Sequence, residues 1–126
     1  MFSSMMKVHR VDAGREPLAA CLEYDPADPF AVKVTFQSVR GATEWTLSRD
    51  VLNAGMDEEA GLGDVRIAPV PGRPGLLLLG LSSPEGDAII EMQAEGLALF
   101  LEQTYAMVPA GAEVVDVDAA LTAILA

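Results

Sequence analysis

One cysteine and one histidine are all that this 126-residue chain offers of the side chains most used in catalysis and metal binding. A lone Cys21 excludes an internal disulfide. Set among apolar neighbours, it reads as a small core residue. A structural zinc site takes four Cys or His ligands, so it cannot be assembled from Cys21 and His9. Basic residues are scarce too: eight against 19 acidic ones, for a net charge of −11, scattered from Lys7 to Arg73. A chain so acidic repels phosphate backbones unless its cations cluster, so nucleic acid is not the expected partner. No apolar run approaches the ~20 residues that cross a bilayer. The opening Met-Phe-Ser-Ser-Met-Met-Lys lacks the basic start and long apolar stretch of a secretion signal. The expectation is a soluble, cytoplasmic protein without direct membrane insertion. Internal repeats and linkers are not evident, and the length suits a single domain over residues 1–126.

What is present is well-marked architecture. Hydrophobic residues make up 51% of the chain, enough for a core of ordinary size. Leu22-Glu-Tyr-Asp-Pro-Ala-Asp-Pro-Phe-Ala-Val32 sets two Asp-Pro steps between strand-like runs. Each proline fixes its own φ and pushes the preceding Asp out of the helical region, and Asp can close a turn on backbone amides ahead of it. The stretch predicts a rigid strand-to-strand corner. Phe30, Val32, Val34 and Phe36 alternate with Ala31, Lys33, Thr35 and Gln37, the period of a strand with one buried face. Trp45 and Leu47 repeat it, and Leu18, Ala20, Leu22 and Tyr24 precede it; Met6 and Val8 suggest a first strand. Val39-Arg-Gly-Ala42 suits a hairpin with Gly41 at positive φ.

Ser48 offers an N-cap for a short helix over Arg49–Gly55, stopped by its glycine. Asp57–Gly63 reads as an acidic loop, and Asp64–Val70 as a strand whose Pro69 belongs at an edge or exit. Leu76–Leu81 is nearly all leucine, so cover on both faces is expected. Ser83-Pro-Glu-Gly86 predicts a type I turn closing a hairpin between 76–82 and 87–93. Leu97, Phe100, Leu101, Tyr105 and Val108 then fall on one helical face, ended by Pro109-Ala-Gly111. Asp116 or Asp118 caps a last helix. About seven strands joined by short turns, one inserted helix and two final helices imply an α+β fold with a mainly antiparallel sheet.

Reactive groupings are incomplete wherever they begin. His9 is the one imidazole for any Ser–His or Cys–His pair, and it sits near a terminus. Asp57, Glu58 and Glu59 are consecutive, without the alternate spacing and closing Glu of an EF-hand loop. Gly61-Leu-Gly63-Asp64 lacks the Gly-Lys-Ser/Thr of a phosphate loop. Gly80-Leu-Ser-Ser-Pro84 lacks the second glycine of a nucleophile elbow, and Glu85 with Asp87 flanks a turn. The expectation is that no enzyme, metal or cofactor chemistry resides here. Phe30, Phe36 and Trp45 fall in the core-facing phase, so a single-strand platform of exposed rings beside Lys33 and Arg66 is not indicated. Leu99 and Met107 fall off the buried stripe of their helix, an apolar surplus that suits an oligomer or partner surface.

Several blocks also match a known family. They are Leu22–Val32, Glu44-Trp45 with Ser48-Arg-Asp-Val-Leu52 and Gly55, and Gly61-Leu-Gly-Asp-Val-Arg-Ile67. Leu81-Ser-Ser-Pro-Glu-Gly86 with Glu91, and Phe100-Leu101 through Thr104 to Val108-Pro-Ala-Gly111, continue the match. From about residue 17 onward the chain resembles the SsgA-like sporulation and cell-division proteins of actinomycetes, and among them the B-type. The resemblance implies a non-enzymatic regulator at the division septum. It would recruit the tubulin-like Z-ring GTPase and act with an A-type relative. It also implies a whirly-like fold and a homo-oligomer, a trimer being the first expectation. The alternative carried by the fold is a single-stranded nucleic-acid-binding module. Asp25 and Asp28 of the corner and Asp57, Glu58 and Glu59 of the acidic loop are then the candidate partner contacts.

Overall fold

The computed structural model of the protein describes residues 1–114. The last helix expected from Asp116 or Asp118 lies outside the described residues. Eight strands and two helices follow one another as β1 (Phe2–Arg10), β2 (Glu16–Tyr24), β3 (Ala31–Ser38), β4 (Gly41–Ser48), α1 (Arg49–Ala54), β5 (Ala60–Leu62), β6 (Val65–Pro69), β7 (Leu76–Ser83), β8 (Gly86–Gln93) and α2 (Ala94–Met107). A four-strand meander followed by a helix thus occurs twice, a repeat of architecture without a repeat of sequence.

The strands form one antiparallel sheet in the order β4-β3-β2-β1-β8-β7-β6-β5. Short turns make each meander, so strands adjacent in sequence are adjacent in space. The halves join where β1 meets β8, with a ladder of only His9↔Glu91 and Arg10↔Ile90. Polar side chains reinforce this seam. Arg10 donates to both carboxylate oxygens of Asp12 at 2.9 and 3.0 Å. Asp12 Oδ1 also accepts from the Ile89 amide at 3.1 Å. The Arg10 guanidinium and that amide hold the Asp12 carboxyl well below the usual carboxylate range.

Alternation sorts the strands' side chains onto two faces. Val8, Leu22, Tyr24, Val34, Ile67, Leu77, Leu79, Ile90 and Met92 are buried on the inner face, where Leu97, Phe100 and Leu101 of α2 pack against them. The Phe2 ring stacks on Phe100 with centroids 5.4 Å apart. No described helix covers the outer face, which explains one departure from expectation. Leu77, Leu79 and Leu81 are buried, but Leu76 and Leu78 are half-buried, so the leucine run is covered on one face only.

Several further expectations change. The strand count is eight because Ala60–Leu62, inside the stretch read as a loop, pairs with Val65–Ile67. Phe30 is exposed and precedes β3: the corner turns the backbone there, with the Ala31 amide donating to the Asp28 carbonyl. Buried Pro29 takes the core position instead. Gly41 does adopt φ +132°, after the two-residue turn Val39-Arg40. Gly55 ends α1 at φ −68°, an ordinary helical value rather than the left-handed one expected of a glycine stop. Its reason to be glycine is contact, because a Cβ there would run into the side chain of Ile67.

Candidate interaction site

The corner forms as its residues dictate. Asp25 Oδ1 accepts from the Ala27 amide at 2.9 Å, and the Asp25 carbonyl from the Asp28 amide at 2.9 Å. Both carboxylates are exposed. Behind them the Tyr24 hydroxyl donates to the Pro29 carbonyl at 2.9 Å, fixing the corner to the core. Asp57, Glu58 and Glu59 are also exposed, following α1. Glu59 lies 3.6 Å from Arg66 in a pair open to solvent, which holds little energy. Leu99 and Met107 stand on α2 at 58% and 42% exposure, the surplus that their off-stripe positions predicted. No hydrogen bond or ion pair among the described residues joins the corner to the acidic loop or either of them to Leu99 and Met107.

The other sequence candidates are dispersed. His9 lies on the outer face of β1 opposite Pro17 and Glu91. Cys21 is half-buried on the same face of β2, opposite Met5 rather than inside the core. Ser83 donates to the Gly86 carbonyl and stiffens its hairpin. Among the described residues no group of three or more His, Cys, Asp or Glu side chains is placed to hold a metal ion. No described helix is long and apolar enough to cross a membrane.

Two features escaped the sequence reading. The first is Arg49, the opening residue of α1 and fully buried. Its guanidinium carbon lies 4.0 Å from the Tyr105 ring centre and 5.1 Å from that of Tyr24. Nη1 donates to the carbonyls of Thr104 and Val108, at 3.1 and 2.8 Å, at the C-terminus of α2. Nη2 donates to Glu113 at 2.7 Å. A cation at that end meets the negative pole of the helix dipole, between two rings whose faces attract it. Five partners therefore tie both helices, β2 and the segment after α2 to a single group.

The surrounding groups register this environment. Burial, then a hydrogen bond to Asp50 at 3.0 Å, pushes the Tyr105 hydroxyl up to about 12. Burial likewise pushes Tyr24 up, against the opposing charge of Arg49. Both folded values lie above the unfolded one near 10. The neutral phenols therefore support the fold fully below that pH, and the support is lost as pH rises toward 12. An alkaline absorbance titration is expected to show both of the chain's tyrosines ionising late and together with unfolding. Two independent midpoints near pH 10 in folded protein would contradict this.

The second feature is a cavity of about 340 Å³ on the inner face, at the end of the sheet away from α2. Its apolar wall is Leu18, Phe36, Trp45, Leu81 and Ile90, with Arg10, Glu16 and Arg40 at the polar side. Trp45 on β4 and Leu81 on β7 can line one cavity because the sheet curls and its halves face one another. Trp45, expected in the core, is only half-buried: it packs against the edge of the core and lines the open cavity. Arg40 pairs with Glu16 at 2.9 Å, and Arg10 with Asp12.

With this geometry the chain can be set beside known proteins. Residues 18–113 match the family model described as Streptomyces sporulation and cell division protein, SsgA. The sporulation-specific cell division protein SsgB of Salinispora tropica is 46% identical over 91% of this chain and 85% of its own length. SsgB of Streptomyces coelicolor is 44% identical over 87% and 83%. A solved structure of an SsgA-like sporulation-specific cell division protein from Thermobifida fusca superposes with TM-score 0.85 at 34% identity, covering 96% of this chain and 93% of the other. A second, from work in which SsgB mutations correlate to longitudinal cell division during sporulation of Streptomyces coelicolor, gives TM-score 0.81 at 38% identity, covering 88% and 91%.

Proposed function

Because the chain belongs to the SsgA family of sporulation and cell division proteins, we propose that it is a non-enzymatic adaptor that helps position sporulation septa by recruiting the tubulin-like Z-ring GTPase. The observation that carries the reading is the family match across residues 18–113. The surface is compatible with it. Asp25, Asp28, Asp57, Glu58 and Glu59 are exposed carboxylates for partner contacts, and Leu99 and Met107 offer apolar area to a partner or a second copy. The mechanism is multivalency: several copies in one homo-oligomer present repeated weak sites to a polymer, which raises avidity by roughly 10²–10⁴ without any new contact. An A-type relative would share the assembly, and the place of action is the cytoplasmic side of the forming septum.

Co-pelleting with the purified tubulin-like polymer tests this. The chain is expected in the pellet with polymer and in the supernatant without it. Absence from the pellet at every salt concentration, with polymer assembly unchanged, removes the recruitment reading. The nucleic-acid alternative has weaker support. The chain's net charge of −11 repels a phosphate backbone.

A further inference from the structure

The cavity beside Trp45 opens next to a free sheet edge, and the two together have the form of a peptide-binding site. β4 is a terminal strand of the sheet, and among the described residues nothing pairs with its far side. The Arg49 amide donates to the Phe30 carbonyl at 2.8 Å, which fixes the phase of the ladder. In that phase Thr43, Trp45 and Leu47 bond toward β3, opposite Phe36, Val34 and Val32. The amides and carbonyls of Ala42, Glu44 and Thr46 therefore point out of the sheet. All three residues are exposed. Such an edge is a template for another strand.

A strand added there continues the pleat of β4. Its alternate side chains fall on the inner face, in line with Thr43 and Trp45, at the mouth of the 340 Å³ cavity. That volume lies within the range of ligand pockets and takes one large apolar side chain. Arg40 stands at the mouth with its side chain 77% exposed, held only by a surface pair with Glu16. A surface pair of this kind is worth little, so the guanidinium can turn to a new carboxylate at small cost.

The geometry points to a docking site for an extended segment of a partner protein. The segment would add a strand to β4, place a bulky apolar side chain in the Trp45 cavity and present a carboxylate to Arg40. Main-chain bonds supply affinity in this mode, and the pocket supplies selectivity. A second copy of this chain is a poorer occupant. Its own β4 brings Thr43 and Trp45 to that face, and both already line its own cavity. The site goes beyond the adaptor reading and does not depend on it, since a chain that positions septa without touching the Z-ring polymer could still hold such a segment.

Trp45 is the chain's single tryptophan, so its emission reports directly on the cavity. The full chain is titrated with the blocked peptide acetyl-Thr-Asp-Thr-Phe-Thr-Asp-Thr-amide, whose symmetry presents a carboxylate to Arg40 in either strand direction. Peptides with Ser for Phe, or Lys for both Asp, are the controls. The expected result is a saturable blue shift of Trp45 emission with the Phe-Asp peptide, at least about tenfold weaker binding of the Ser control, and weaker binding of the Lys control. Ala88→Phe, which fills the cavity, and Glu44→Pro, which removes an outward amide at an edge that tolerates proline, are each expected to weaken binding about tenfold. Arg40→Glu is expected to reverse the preference toward the Lys peptide. Circular dichroism establishes that each variant is folded, and if one is not, the peptide controls on the natural chain decide. No saturable shift at millimolar peptide, or equal shifts with the Phe and Ser peptides, overturns the site. So does a shift produced by oligothymidylate in place of the peptide, or a change of emission with protein concentration alone.

Discussion

Arg49→Met is expected to lower the unfolding free energy by about 3–5 kcal/mol, the range for breaking a buried ion pair from one side. For a chain of this size that is roughly 10–20 °C in Tm. Removing the guanidinium leaves the Val108 carbonyl without its donor, the Thr104 carbonyl with the Val108 amide alone, and Glu113 without its cation. It also leaves the Tyr24 and Tyr105 rings facing a flexible thioether where a cation stood. Arg49→Lys is expected to recover little. An ammonium is a point charge, and it cannot reach two carbonyls and a carboxylate while lying flat between rings. Tyr105→Phe, which keeps the ring and loses only the bond to Asp50, should cost about 1 kcal/mol. Thermal and urea unfolding of the three variants measure this. A loss below about 1 kcal/mol for Arg49→Met would show that solvent takes over these bonds and that Arg49 does not hold the ends of the helices together.

The second large effect is at Gly55. Gly55→Ala places a methyl group inside the side chain of Ile67, itself fully buried on β6. Forcing an extra methyl into a filled core costs about 1–3 kcal/mol, and here neither partner can swing away into solvent. Ile67→Ala alone should cost about 2–5 kcal/mol through the cavity it leaves. The double variant is expected to be more stable than the sum of the singles predicts, because the new methyl enters the vacated space. A double-mutant cycle measures that coupling directly. Strict additivity would mean that α1 and β6 do not touch at this point.

These two residues also show where sequence reading stops. Gly55 ends a helix as its local pattern predicts, but its reason is a long-range contact with Ile67, which no local pattern encodes. Arg49 follows an N-cap serine and precedes an acidic first turn, both of which say surface helix. Its burial depends on Tyr24, Thr104, Tyr105, Val108 and Glu113, the last of them 64 positions away. The alternating strands and the α2 stripe were legible because each carries its own period. β5 was not, since three residues with a glycine at the centre show no period at all. Phe30 continued the alternation of β3 by one position, but Pro29 and the corner decide where the strand begins. Among the candidate contacts, the exposure of Asp25, Asp28, Asp57, Glu58, Glu59, Leu99 and Met107 was readable from local chemistry. The β4 edge and the Trp45 cavity were not, because both arise from how the sheet ends and curls.

Avidity requires several copies in one particle. Light scattering on the purified full chain at micromolar concentration tests that most directly. The expected result is a multiple of the 13.3 kDa chain mass, three copies being the first expectation, stable on dilution. A particle of 13.3 kDa at every concentration would contradict it, because a monomer with weak contacts has no means of gathering on a polymer.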